Sequence, residues 1–236
     1  MDWWGQLTDR VVPVGDDLTL ATPGLVIALM LAAVTVGFPP VWRVVRIVVT
    51  LVHELGHAFT GVLGGRRFSG FVLRGDMSGH AVTYGRPTGT ARVVSTWAGY
   101  PAPAVVGAVM VWLAAAGWGA PLLALLLALL VVSLVRVRSG LTALVVVAAT
   151  AVTGALWWWG PDRLQAEVLI GVGVLLVAGA WRHLAAVLRD RSRQSDPGVL
   201  ADLTHVPRLV WNATFVIVCA AASWLAAVEV LALVVS

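Results

Sequence analysis

The 236-residue sequence has no lysine, one cysteine (Cys219) and one asparagine (Asn212). A lone cysteine excludes a disulfide framework. Charge is scarce as well: 12% of residues are charged, where a soluble domain carries about a quarter. That scarcity excludes a disordered chain and most soluble enzymes. The isoelectric point is near 10.5, yet the net charge is only +4, which excludes a basic nucleic-acid binder. What remains is apolar. With 59% hydrophobic residues and a mean hydropathy of +0.90, the composition is that of a polytopic membrane protein.

A span needs roughly 20 apolar residues. Seven runs qualify, at 19–38, 40–64, 94–116, 119–135, 140–159, 164–186 and 207–235. Residues 1–17 hold four aspartates and Arg10, no signal-peptide start, so the first run is expected to be retained as a span. Seven alternating spans with the N-terminus inside place 13 of the 16 arginines on the cytoplasmic side, with only Arg43, Arg46 and Arg163 outside. Trp118 and Trp157 to Trp159 then form an outer aromatic belt. The expected location is the cell membrane, multi-pass, with a cytoplasmic N-terminus.

Two stretches do not span. Residues 65–92 hold two short runs around Gly75-Asp76-Met77-Ser78-Gly79, which predicts a β-hairpin. Residues 187–206 are rich in Arg, Asp and Ser, and predict a cytoplasmic loop ending in a short helix. The expected fold is therefore an all-α polytopic membrane protein of about six to seven transmembrane helices, with a small cytoplasmic hairpin. One membrane-embedded domain covers 1–236.

Within the second run, His53-Glu54-Leu-Gly-His57 forms an H-E-x-x-H motif. On a helix the i, i+4 spacing stacks both imidazoles on one face, where they can hold one Zn²⁺ while Glu54 acts on a water. Burying these three side chains in a bilayer is costly unless something compensates, and a metal does. Arg46, Thr50 and Thr60 share the face, a polar stripe that admits water. Counting helical rise from Pro40 puts the metal near mid-membrane, slightly toward the cytoplasm.

His-Glu-Leu-Gly-His-Ala in a membrane helix, followed by Gly64-Gly65 and a short β segment, resembles the site-2 proteases. The Ala98-Gly99-Tyr100-Pro101-Ala102-Pro103 stretch is similar to that family's Gly-Pro segment. The resemblance implies an intramembrane zinc metallopeptidase that cuts substrate helices. It covers roughly residues 40–115. The family's usual Asn-Pro…Asp-Gly motif is missing. In its place, Ser195-Asp196, Leu200-Ala201, Leu203-Thr204, Pro207 and Trp211 resemble a divergent branch.

A catalytic zinc takes three protein ligands and a water. Asp196 is the first choice for the third ligand, because it falls in the stretch that matches the divergent branch. The same residue would also serve as an N-cap before Pro197. Asp202 and His205 are alternatives, one turn apart, which would equally suit a solvated helix start. Asp76 and His80 flank a turn and are expected to be neither. A ligand in the 187–206 loop must reach below the surface, so either the loop dips or the last span begins early.

The expected function is intramembrane zinc endoproteolysis, with one Zn²⁺ per chain on His53, His57 and Asp196 and Glu54 as general base. The hairpin would align an unwound substrate by adding a strand. The expected partners are a single-span membrane protein substrate and the lipid bilayer, with no nucleic acid. One alternative is an inactive metal-binding scaffold of the same fold. Another is a small transporter, but that predicts repeated halves or paired broken helices, which the sequence lacks.

Overall fold

The computed structural model describes Gly5, Thr8, 10–14, Leu20, 23–76 and 78–235. Nine helices and one two-stranded sheet are present among these residues. In chain order they are α1 (Pro23–Gly37), α2 (Pro39–Leu63), β1 (Arg67–Leu73), β2 (Gly79–Tyr84), α3 (Thr90–Trp97), α4 (Pro101–Ala115), α5 (Gly119–Leu134), α6 (Gly140–Trp159), α7 (Asp162–Arg189), α8 (Asp196–Thr204) and α9 (Arg208–Val235). The fold is all-α and polytopic with a small antiparallel hairpin, as expected.

Helices α6, α7 and α9 are long and apolar enough to cross a membrane, and the bent pairs α1/α2 and α3/α4 raise the number to five if each is one span. The apolar α5 is shorter than these three to five candidate spans. The first two expected spans merge for a local reason. Pro39 and Pro40 open α2 and lack the amides that would continue α1, and Phe38 is extended, so the chain bends by 103°. Arg182 of α7 holds the bend, donating to the Val36 carbonyl and stacking 4.8 Å from the Trp42 ring.

The core forms where α4 packs against α7. A Cβ at Gly107 would strike the Gly173 carbonyl, so the two backbones approach to a distance only glycine permits. Val111, Ile170 and Leu176 fill the space around this crossing. Helix α1 runs along α7, with Ala28 against Gly171. A second cluster of Leu51, Phe71, Leu73 and Val146 seats β1 between α2 and α6.

The hairpin has one covered edge. Phe71 of β1 donates its amide to Arg136 O at 3.1 Å and accepts from Arg138 N at 3.3 Å, while Leu73 N reaches Thr142 Oγ1 at 2.8 Å. Because Phe71 turns its backbone groups that way, its register partner Ala81 points its amide to the opposite side, the outer edge of β2.

Two placements correct the expected topology. Arg10 donates to the Trp157 carbonyl at 2.5 Å and Val14 N to Gly117 O at 2.9 Å. Those partners end α6 and α4 at the tryptophan end, so residues 10–14 lie opposite the hairpin. A cytoplasmic N-terminus and an outer tryptophan belt therefore exclude each other. Arg46, expected outside, donates to the Asp76 carbonyl at the hairpin turn and so lies at the hairpin end. The bend makes α2 oblique, so rise along it no longer measures depth.

Candidate metal centre

Three segments meet beneath the hairpin. The first is α2, which brings His53, Glu54 and His57. The second is the elbow between α3 and α4, bent by 63°. Prolines at 101 and 103 start α4 there, and Gly99 sits under the imidazoles, where any Cβ would collide with both rings. On the same side, Gly56 of α2 rests against the Ala98 carbonyl and Ala102. The third is the start of α8, which delivers Asp196.

The Nε2 atoms of His53 and His57 are 3.0 Å apart. Asp196 Oδ2 lies 3.4 Å from the first and 3.3 Å from the second. Among the described residues these three are the one His/Cys/Asp/Glu group placed to hold a metal ion. The spacing fits such an ion. Metal–ligand bonds of about 2.0–2.1 Å at tetrahedral angles separate neighbouring donors by about 3.3 Å. The side chains are largely enclosed, with 13%, 14% and 21% exposure for His53, His57 and Asp196.

Second contacts set the ring states. His57 Nδ1 is 2.7 Å from the Ser95 carbonyl. A carbonyl only accepts, so Nδ1 carries the proton and Nε2 keeps its lone pair for a metal. Ser95 Oγ also donates to the His57 carbonyl at 2.8 Å, which locks α3 to α2. His53 packs edge-on against Tyr100, with ring centres 4.8 Å apart. Its Nδ1 is buried without a hydrogen-bond partner among the described residues.

Asp196 is the first helical residue of α8, and Ser195 occupies the cap position. The carboxylate is thus aimed at the imidazoles rather than spent on capping. Burial alone would raise its pKa. The neighbouring His57 and His53 override burial and hold the carboxyl well below the usual carboxylate range. Arg208 supports the approach, donating to Ser192 O at 3.1 Å, Asp190 O at 2.7 Å and Ser195 Oγ at 3.0 Å. The depth question is answered by the loop folding over the site, with α9 starting at Arg208 as expected.

The other candidates lie elsewhere. Asp202 is exposed, and His205 is an exposed left-handed C-cap with φ 57°. Asp76 accepts from Ser78 N at 3.0 Å and Ser78 Oγ at 2.6 Å, an ordinary turn that lowers its pKa. His80 lines the cleft but is not in the metal group.

Glu54 is 6% exposed, and its Oε2 accepts from Ala81 N at 2.5 Å. Gly79 makes this contact possible, because a Cβ there would meet Glu54 and Thr50. All four side chains open on a polar cleft of about 450 Å³ between β2, α3 and the α7–α8 loop. Sequence reasoning did not single out Arg92, Ser95 or Thr96, which line the cleft from α3. Nothing in their spacing marks them, since the fold of α3 alone brings them to the cleft.

A family model described as Peptidase M50B-like matches residues 26–226. The chain belongs to the Peptidase M50B-like family. This is the site-2 protease membership that the helix motif suggested, and the match extends well beyond residues 40–115 to include Asp196. For a Peptidase M50B-like chain, two histidines and an aspartate around a cleft, with a glutamate alongside, are the parts a metallopeptidase needs. Comparison with curated proteins and with solved structures gave no match.

Proposed function

We propose that this protein is an intramembrane zinc endopeptidase that cuts membrane-spanning substrates in the cell membrane, with its site open to the cytoplasmic side. The whole chain acts as one domain. The observation that carries the reading is the convergence of His53, His57 and Asp196 with Glu54 one residue along the same helix. That convergence supplies the third ligand whose absence would have favoured an inactive scaffold. Two imidazoles and a carboxylate with an open position suit Zn²⁺.

His53, His57 and Asp196 would hold the metal. When bound, it supplies Lewis acidity, acidifying a water and polarising the scissile carbonyl. Glu54 takes the proton from the water as its oxygen bonds to the carbonyl carbon, then gives that proton to the nitrogen, and the peptide C–N bond breaks with release of the amine. The Ala81 amide fixes one oxygen of Glu54, and Oε1 makes no hydrogen bond among the described residues. Ser95 holds the His57 ring through its carbonyl. The hairpin would align an unwound substrate segment beside the cleft, which β2 lines with Gly79, His80, Ala81 and Thr83. A helical substrate must unwind first, because its backbone groups are already paired.

Arginines favour the cytoplasmic assignment. Arg66, Arg67, Arg74, Arg86, Arg92, Arg136 and Arg138 lie in or beside the hairpin and its covering loop, and Arg189, Arg191 and Arg193 follow at the end of α7. The N-terminal segment and the tryptophan end then face outward. The test is cleavage of a panel of single-span proteins reconstituted with the purified protein. Wild type should cut at least one, and Glu54→Gln should keep the metal while losing cleavage. Undiminished cleavage by Glu54→Gln would remove Glu54 from the mechanism.

A further inference from the structure

One guanidinium in the cleft has no partner among the described residues. Arg92 lines it from α3 and is half-buried. Among the described residues its side chain makes no hydrogen bond and no ion pair, while its backbone amide donates to Gly89 O at 3.0 Å. The acidic groups sharing the cleft are engaged elsewhere. Asp196 faces the imidazoles, Glu54 holds the Ala81 amide, and Asp190 accepts from Ser192 N at 2.8 Å.

The charged side chain that does act on Arg92's surroundings is another cation. Arg66 is 8% exposed and fixed at the hairpin stem, donating to Arg86 O at 2.7 Å and Thr83 Oγ1 at 3.4 Å. Its guanidinium is held below its ordinary pKa, first by burial and then by Arg92. Two like charges near each other oppose folding, and among the described residues neither guanidinium forms an ion pair with a carboxylate. An arginine kept there suits an incoming carboxylate, which its fork can bind through two hydrogen bonds.

Its position fixes where on a substrate that carboxylate falls. Arg92 lies three residues before Ser95, the residue that holds His57, or about 4.5 Å along α3. Along β2, Ala81 marks the level of Glu54, and Thr83 marks the level of Arg66. Two residues of strand are about 6.6 Å. We infer that Arg92 determines specificity by receiving an acidic side chain of the substrate about two residues from the scissile bond, an inference that rests on the endopeptidase reading.

The test uses the full-length protein loaded with Zn²⁺ in nanodiscs of neutral lipid. Its probes are quenched fluorescent peptides of small apolar residues carrying one Asp at successive positions, each with an Asn twin. The expected result is roughly tenfold higher kcat/KM for the Asp peptide at one position, about two residues from the cut, carried mainly by KM. Arg92→Gln should erase that difference while keeping wild-type zinc content, and Arg92→Lys should restore part of it. An undiminished preference in Arg92→Gln overturns the inference, as does loss of the preference in anionic-lipid nanodiscs, which would assign Arg92 to a lipid phosphate. If wild type cuts no peptide, the endopeptidase reading fails separately. Anisotropy of the same peptides on zinc-loaded Glu54→Gln then decides, with Asp and Asn twins binding equally being the contradicting result.

Discussion

Glu54 Oε2 and the Ala81 amide are joined by a 2.5 Å hydrogen bond that ties the motif helix α2 to the outer edge of β2. The bond exists because the other edge of the hairpin is already occupied. Phe71 spends its amide and carbonyl on Arg136 and Arg138, which leaves the Ala81 amide facing α2. The hairpin is thereby registered against the very residue proposed to move the proton.

That register depends on Gly79. A Cβ there would fall on Glu54 and Thr50, both on a buried face of α2. Gly79→Ala should push β2 away from Glu54 and lower cleavage at least about tenfold, as small misplacements of reacting groups do. The three metal ligands lie outside the hairpin, so zinc content should stay at the wild-type level. Equal loss of zinc would show that the hairpin holds the metal site rather than the substrate.

Thr142 anchors the covered edge. It is fully buried, accepts from Leu73 N at 2.8 Å and lies 2.6 Å from Ser139 Oγ. Thr142→Val keeps the shape but strands the Leu73 amide, at a cost of about 1–3 kcal/mol. A lowered thermal midpoint with zinc still bound is the expected outcome. An unchanged midpoint would mean that water or a neighbour satisfies that amide.

The corrected topology can be checked by labelling. With Cys219 replaced by alanine, a cysteine at Arg10 and one at Arg191 should react with an impermeant maleimide from opposite faces of the membrane. The Arg10–Trp157 and Val14–Gly117 contacts require this. Labelling of both from one face would contradict the placement of Arg10 at the end of the bundle opposite the hairpin.

The chemistry of the site was legible where it is local. The spacing of His53, Glu54 and His57 depends only on helical pitch, and the turn at 75–79 only on turn-forming residues, so both were readable. Asp196 was reachable through its surrounding stretch, although sequence alone left Asp202 and His205 open. Their separation comes from the direction in which α8 leaves its Ser195 cap. What could not be read is orientation. Apolar runs at 19–38 and 40–64 look like two spans, because hydropathy reports length and not the 103° bend at Phe38-Pro39. Arg46 was placed outside for the same reason. Its partner, the Asp76 carbonyl, lies 30 residues away and is met only when the hairpin folds back along α2.

The central claim is a metal centre built from His53, His57 and Asp196. The measurement that tests it most directly is metal content per chain by mass spectrometry. It should be made on chelator-free wild type, Asp196→Ala and Asp202→Ala, each purified in metal-replete buffer. The account predicts about one zinc in wild type and in Asp202→Ala, and a loss of at least tenfold in affinity in Asp196→Ala, where an acidic donor is removed. Wild type without metal, or Asp196→Ala binding as tightly as wild type, would contradict it.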